Sequence, residues 1–146
     1  MQLNQATDYA FRIVLHLACL PSGQVVNGQM LAEQENIPQR FLLKIMRSLT
    51  QAGLIKSYRG TDGGFALARP PEEITIWDVI CAMEGEVTIH RCLADRTACN
   101  KHCAHECPVH AVLGQIQAEL AAALRQADFA TLASRRRTQE ETEGKR

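Results

Sequence analysis

Three glycines in five positions, Gly60, Gly63 and Gly64, separate two short apolar-rich runs, Leu54–Tyr58 and Phe65–Arg69. A chain that reverses there needs backbone at positive φ, which glycine adopts without steric cost. The spacing predicts a two-stranded hairpin closed by Pro70-Pro71. Everything around it carries helical periodicity. The expected fold is therefore mainly α with a small β-hairpin.

The first helix is expected from about Asn4 to Cys19, with Tyr9, Ala10, Ile13, Val14 and Leu17 on one face and Pro21-Ser22-Gly23 as its stop. Asn27 can cap a short second helix through Glu35. Pro38 opens a third, Gln39 to Gln51, whose buried stripe is Phe41, Leu42, Ile45, Met46 and Leu49, and which Gly53 ends. After the hairpin, Thr75-x-x-Asp78 predicts a capping box for a helix from Ile76 to Glu84, stopped by Gly85. The stretch 90–107 has no apolar period and reads as a loop. Pro108 then starts a long helix, with Cys107 as its N-cap. Val109, Leu113, Ile116, Leu120, Ala123 and Ala127 recur along it at steps of four and three, the pattern of a helix that packs on another helix. Residues 1–85, 86–107, 108–134 and 135–146 divide into a helical unit with hairpin, a cysteine-rich loop, a dimerisation helix and a disordered tail; Ala130–Arg137 can add a turn or two of helix.

With 146 residues the chain is long enough for one core plus an appendage, and at 46% hydrophobic and 22% charged it reads as folded and soluble. No apolar run reaches the roughly 18–20 residues of a membrane span. The opening MQLNQATDYAFRIV lacks the basic start and cleavage site of a signal peptide. A cytoplasmic chain with reduced cysteines is the expectation.

The net charge is zero, 16 basic against 16 acidic residues, yet the charges are segregated. Residues 39–69 hold Arg40, Lys44, Arg47, Lys56, Arg59 and Arg69 against Asp62 alone, a balance of +5. Residues 71–110 hold three basic residues against seven acidic ones, a balance of −4. The basic part coincides with helix, short helix, helix and glycine-rich hairpin, the order of a winged helix-turn-helix. In that arrangement Gln39, Arg40 and Lys44 enter a major groove. Gln39 suits adenine and Arg40 guanine, whereas Lys44 and Arg47 suit phosphate. Arg59 and Gly60 stand at the base of the wing, within reach of a minor groove. The competing reading of each basic residue is a solvated helix face; six of them in one tri-helical unit with a hairpin favour double-stranded DNA.

Cys92, Cys99, Cys103 and Cys107 follow C-x6-C-x3-C-x3-C, with His90, His102, His105 and His110 interleaved. Four soft ligands in one segment can hold an iron–sulfur cluster or zinc. Structural zinc usually takes C-x2–4-C knuckles, and no C-x-x-C occurs. Cys107 at a helix N-cap favours a thiolate. A buried helical face for Cys99, Cys103 and Cys107, a dithiol switch and zinc stand as alternatives. Cys19 and Cys81 lie on apolar helix faces and read as buried structural thiols.

From Leu3 to about residue 132 the chain resembles the IscR/NsrR/RirA family of bacterial winged-helix iron–sulfur regulators. The resemblance is carried by Thr7-Asp8-Tyr9-Ala10, Ile37-Pro38-x-x-Phe41-Leu42 and Leu49-x-x-Ala52-Gly53-Leu54-Ile55. It continues through Arg59-Gly60-x-x-Gly63-Gly64-Phe65-x-Leu67-Ala68, Ile74-x-Ile76-x-Asp78-Val79-Ile80 and the cysteine segment. It implies a winged helix-turn-helix domain plus a long C-terminal dimerisation helix, a homodimer, and binding to imperfect palindromes in promoter DNA. It also implies an iron–sulfur cluster, [4Fe-4S] favoured over [2Fe-2S], on Cys92, Cys99 and Cys107. The fourth ligand is Asp8 of a second copy, Cys103 or His110; Cys103 has no counterpart in the three-cysteine pattern.

The function expected is a transcription regulator, a repressor, sensing redox state, nitric oxide or iron–sulfur status. Its competitors are a thiol- or zinc-controlled regulator without a cluster, and a small iron–sulfur electron carrier on a DNA-binding scaffold. An enzyme is not expected: no nucleophile–base pair stands out, and Gly60–Gly64 joins two strands rather than leading into a helix.

Overall fold

The computed structural model describes residues 2–145. Helix α1 (Gln5–Cys19) starts where the Asn4 side chain accepts from the Thr7 amide at 2.9 Å. It buries Ala10, Ile13, Val14 and Leu17 in the centre of the core. Leu20 is extended, as a residue before proline must be. Helix α2 (Gly28–Gln34) is capped by Asn27, which accepts from Gln29 and Met30. A turn through Asn36, at φ 52°, leads to α3 (Gln39–Gln51). Asparagine tolerates this left-handed conformation better than most residues.

Gly53, at φ +72°, ends α3 and turns the chain into β1 (Ile55–Tyr58), which pairs antiparallel with β2 (Gly64–Leu67), Ile55 opposite Leu67 and Tyr58 opposite Gly64. Val26 adds a short third edge through reciprocal 2.8 Å hydrogen bonds with Phe65. The glycines of the turn serve different needs. Gly60 alone takes positive φ, +105°; at Gly63 and Gly64 a Cβ would collide with the carbonyls of Tyr58 and Val26. The turn does need positive φ, but Gly60 alone supplies it and the other two supply space.

Helix α4 (Ile76–Glu84) carries the capping box, with the Thr75 amide donating to Asp78 at 2.8 Å, and ends at Gly85. Residues 86–107 are more ordered than a plain loop. They contain a one-turn helix, α5 (Arg91–Ala94), and a 3-10 turn, Arg96–Ala98, begun by His90 and Asp95 respectively. Helix α6 (Pro108–Gln126) follows Cys107.

The C-terminal expectation needs correction. The long helix stops at Gln126, so the seam residue Ala127 lies beyond it, and a second helix, α7 (Phe129–Glu143), occupies most of the stretch read as a disordered tail. Asp128 caps it by accepting from Thr131 at 2.8 Å. Phe129 and Ala133, at 1% and 0% exposure, enter the core beside α1. Backbone bonds Ile76 to Ala127 and Phe129 to Ile74, both 2.9 Å, pin the junction to the start of α4. Arg136 is held between Glu140 (3.1 Å) and Glu35 (3.6 Å), and Glu35 also meets His16 Nδ1 at 2.7 Å. Within the arginine run, Arg136 thus faces a partly buried carboxylate, whereas Arg135 and Arg137 are exposed. Among the described residues no helix is long and apolar enough to cross a membrane.

Candidate functional site

Helix α3 buries Leu42, Ile45, Met46 and Leu49, with Phe41 half-buried against Tyr9 at 6.0 Å between ring centroids. The opposite face leaves Gln39, Arg40, Lys44 and Arg47 exposed. The Arg40 guanidinium lies 4.9 Å over the Phe41 ring, which restrains its stem at the start of the helix. Lys56, Arg59 and Gly60 are exposed on the hairpin. Among the described residues none of these cations pairs with a carboxylate, so the positive field of this side is not cancelled locally.

Three exposed apolar or aromatic side chains share the helix-turn-helix and hairpin and were not singled out from the sequence: Met30, Leu43 and Tyr58, at 52%, 70% and 46% exposure. Leu43 was legible in principle, because it falls outside the apolar stripe of its own helix. Three more, Val109, Val112 and Ile116, form a strip on α6. Leu113 and Leu120 border this strip and are half-buried, and Ala121, further round the helix, is buried. Exposed apolar side chains gathered in this way mark contact surfaces.

The cysteine segment is clamped to the first half of α6. The Ile89 amide donates to Gln117 Oε1 at 2.9 Å, and Leu93 lies over Gly114, where an added Cβ would be 3.6 Å from its methyl group. Cys92 Sγ touches Nδ1 of His90 at 3.0 Å and Nδ1 of His110 at 3.2 Å. These elements line a half-open cavity of about 310 Å³ whose wall includes Cys92, Cys99, Cys107, His90 and His110, the rest being mostly apolar. Cys103 is not part of that wall. Neither is Asp8, which is exposed on α1 and paired with Arg12 at 2.6 Å.

Backbone N–H groups of Cys103 and Lys101 point at the Cys99 sulfur and pull its pKa below the usual thiol value. His102, at φ 53°, gives the turn that brings them there. Partial burial and the neighbouring Cys99 push Cys103 the other way. Cys19 and Cys81 are half-buried rather than fully buried, and desolvation raises both. They stand apart from the cavity.

Among the described residues, no group of three or more His, Cys, Asp or Glu side chains is gathered tightly enough to hold a metal ion as it stands. The donors sit around the cavity rather than at one point. Three thiols and two imidazoles on the wall of a mostly apolar hollow fit the donor chemistry of an iron–sulfur cluster, which distributes its ligands over several iron atoms. A lone tetrahedral zinc needs them to converge.

The family model Rrf2, described as an iron-dependent transcriptional regulator, matches residues 3–135. A protein of Mycobacterium tuberculosis (strain ATCC 25618 / H37Rv) that carries the working name of an HTH-type transcriptional regulator is 40% identical over 85 residues. That match covers 58% of this chain and 53% of the relative, so it spans about half the relative's length. Among solved structures, CymR (YrzC), the global cysteine regulator of B. subtilis, superposes with a TM-score of 0.72 at 24% identity, covering 92% of this chain and 97% of that one. T. potens IscR gives 0.68 at 22%, over 92% and 87%. The oxidized form of Staphylococcus aureus CymR gives 0.67 at 27%, over 91% and 96%. These likenesses agree with the winged-helix architecture described above. The chain belongs to the Rrf2 family.

Proposed function

We propose that the chain is a homodimeric, DNA-binding transcription regulator, acting as a repressor, whose promoter affinity is switched by an iron–sulfur cluster responsive to redox state, nitric oxide or iron status. The observation that carries this reading is the cavity walled by Cys92, Cys99 and Cys107 with His110, placed at the N-terminus of the helix that bears the exposed Val109–Ile116 strip. Such a strip suits a second copy of the chain. Two copies joined through α6 would present two α3 faces to an imperfect palindrome in double-stranded DNA.

Gln39 and Arg40 would read base edges, Lys44 and Arg47 would seat on phosphate, and Arg59 with Gly60 would reach the flanking minor groove. Cys92, Cys99 and Cys107 would hold the cluster as thiolates. His110, which shares that wall with His90, would be the further donor, with Asp8 of a second copy and Cys103 as the other two candidates. When bound, the cluster supplies a redox- and ligand-sensitive link between α5 and the start of α6. His110 and Gln117 transmit the position of that segment to α6; α4, against which α6 packs, also packs on α1 and α3. A change of loop position is therefore felt where the reading helix is seated.

Native mass spectrometry of anaerobically purified protein tests the metal part of this reading by counting iron and sulfide per dimer. A cluster mass on a dimer is the expected result; a colourless dimer with stoichiometric zinc refutes it. One observation favours a second reading. Cys99 and Cys103 lie near enough to shift each other's titration, and Cys103 is off the cavity wall, so these two thiols could lose two protons and two electrons to a peroxide-class oxidant, which is reduced to water or alcohol, and join as a disulfide. Peptide mapping of peroxide-treated protein for a Cys99–Cys103 bridge separates the two.

A further inference from the structure

Leu43 has the most exposed large apolar side chain among the described residues, at 70%. It sits midway along α3, on the flank just outside the buried stripe of Leu42, Ile45, Met46 and Leu49. At 3.6 residues per turn, Gln39 lies one turn before it and Arg47 one turn after, with Arg40 and Lys44 alongside. A leucine between Gln39 and Arg47, at the edge of this basic face, adds nothing to solubility, and among the described residues none covers it. Its flanking cations would hold that face against phosphate, leaving the leucine over the groove floor. The apolar group that a base pair offers there is the C5-methyl of thymine.

We propose that Leu43 packs against a thymine methyl in each half-site and so specifies A·T at the position it faces; this rests on the DNA-binding reading above. The same side chain rejects G·C, because it would cover the O6, N7 or N4 edge without offering a hydrogen-bond partner. Attraction and rejection come from one residue.

The probe is the duplex that the full-length, anaerobically purified protein enriches from a random-sequence pool, resynthesised with deoxyuridine for thymidine one position at a time. Removing one methyl per half-site at the matching position is expected to weaken wild-type binding by about fourfold for each half-site, the worth of one buried methyl group. Leu43→Ala, a substitution at an exposed helical site that keeps the fold, is expected to bind the thymidine and deoxyuridine duplexes equally while retaining the wild-type salt dependence. A variant with undiminished methyl dependence, or a wild type indifferent to every thymine methyl, overturns the inference. Failure to enrich any duplex at all overturns the DNA-binding reading, and this inference with it.

Discussion

Nδ1 of His110, in the first turn of α6, stands 3.2 Å from Sγ of Cys92 in α5. This contact joins two elements 18 residues apart in sequence and fixes one wall of the cysteine cavity. It also makes the cavity part of α6 rather than a loop hung from it.

Because Cys103 lies off the cavity wall, its loss should be tolerated where the loss of Cys92 is not. Cys103→Ser is expected to retain iron, sulfide and visible absorption after anaerobic purification, and Cys92→Ser to lose them. Equal loss in both variants would put Cys103 among the ligands.

The proposed roles on α3, Arg40 on a base edge and Lys44 on phosphate, predict two different patterns of loss. Arg40→Ala should cost tenfold or more on an enriched duplex, in line with about 1–3 kcal/mol for a base contact. Lys44→Ala should weaken all duplexes alike and reduce the slope of log K against log salt by about one. Titrations at several salt concentrations distinguish the two patterns.

Docking of α7 is a claim about stability. Phe129 is 1% exposed in the core, so Phe129→Ala should destabilise the chain by about 3–5 kcal/mol. Denaturant unfolding checks it. A change below about 1 kcal/mol would mean that the C-terminal helix is not part of the fold.

Glu84 ties the end of α4 to the start of α1 by accepting from Thr7 Oγ1 and from the Asn4 amide at 3.0 Å. Those bonds, the hydroxyl first, lower its pKa. A carboxyl lowered in the folded state adds stability above its unfolded value, about 4.3, and loses it as pH falls through the folded value. The stability difference between wild type and Glu84→Gln should hold constant above about pH 5 and shrink below the unfolded value. A difference independent of pH down to acid unfolding would contradict the bond.

Much of the fold was legible because its boundaries are written in short-range chemistry. Asn27, Pro38, the Thr75–Asp78 box and Gly85 each act on neighbouring amides or dihedrals, and α3 and α4 have the bounds those residues imply. Helix α7 was legible only as a turn or two over Ala130–Arg137, because Arg135-Arg136-Arg137 reads as a solvated run. Only the tertiary position of Glu35 shows that Arg136 has a partly buried partner. Helix α5 escaped notice because its N-cap is a histidine, which seldom serves there. The cysteines were visible, but not their division. Equal spacing of Cys99, Cys103 and Cys107 gives no reason to set the middle one apart, and its position off the cavity wall is a property of the turn at His102.

The central claim is that cluster content sets DNA affinity. Fluorescence anisotropy of one enriched duplex, titrated under anaerobic conditions with cluster-loaded and then cluster-free dimer, tests it most directly. The two forms are expected to differ by about 5–150-fold, the coupling of an ordinary allosteric switch. Identical affinities, with iron and sulfide verified in one sample and absent from the other, would contradict it.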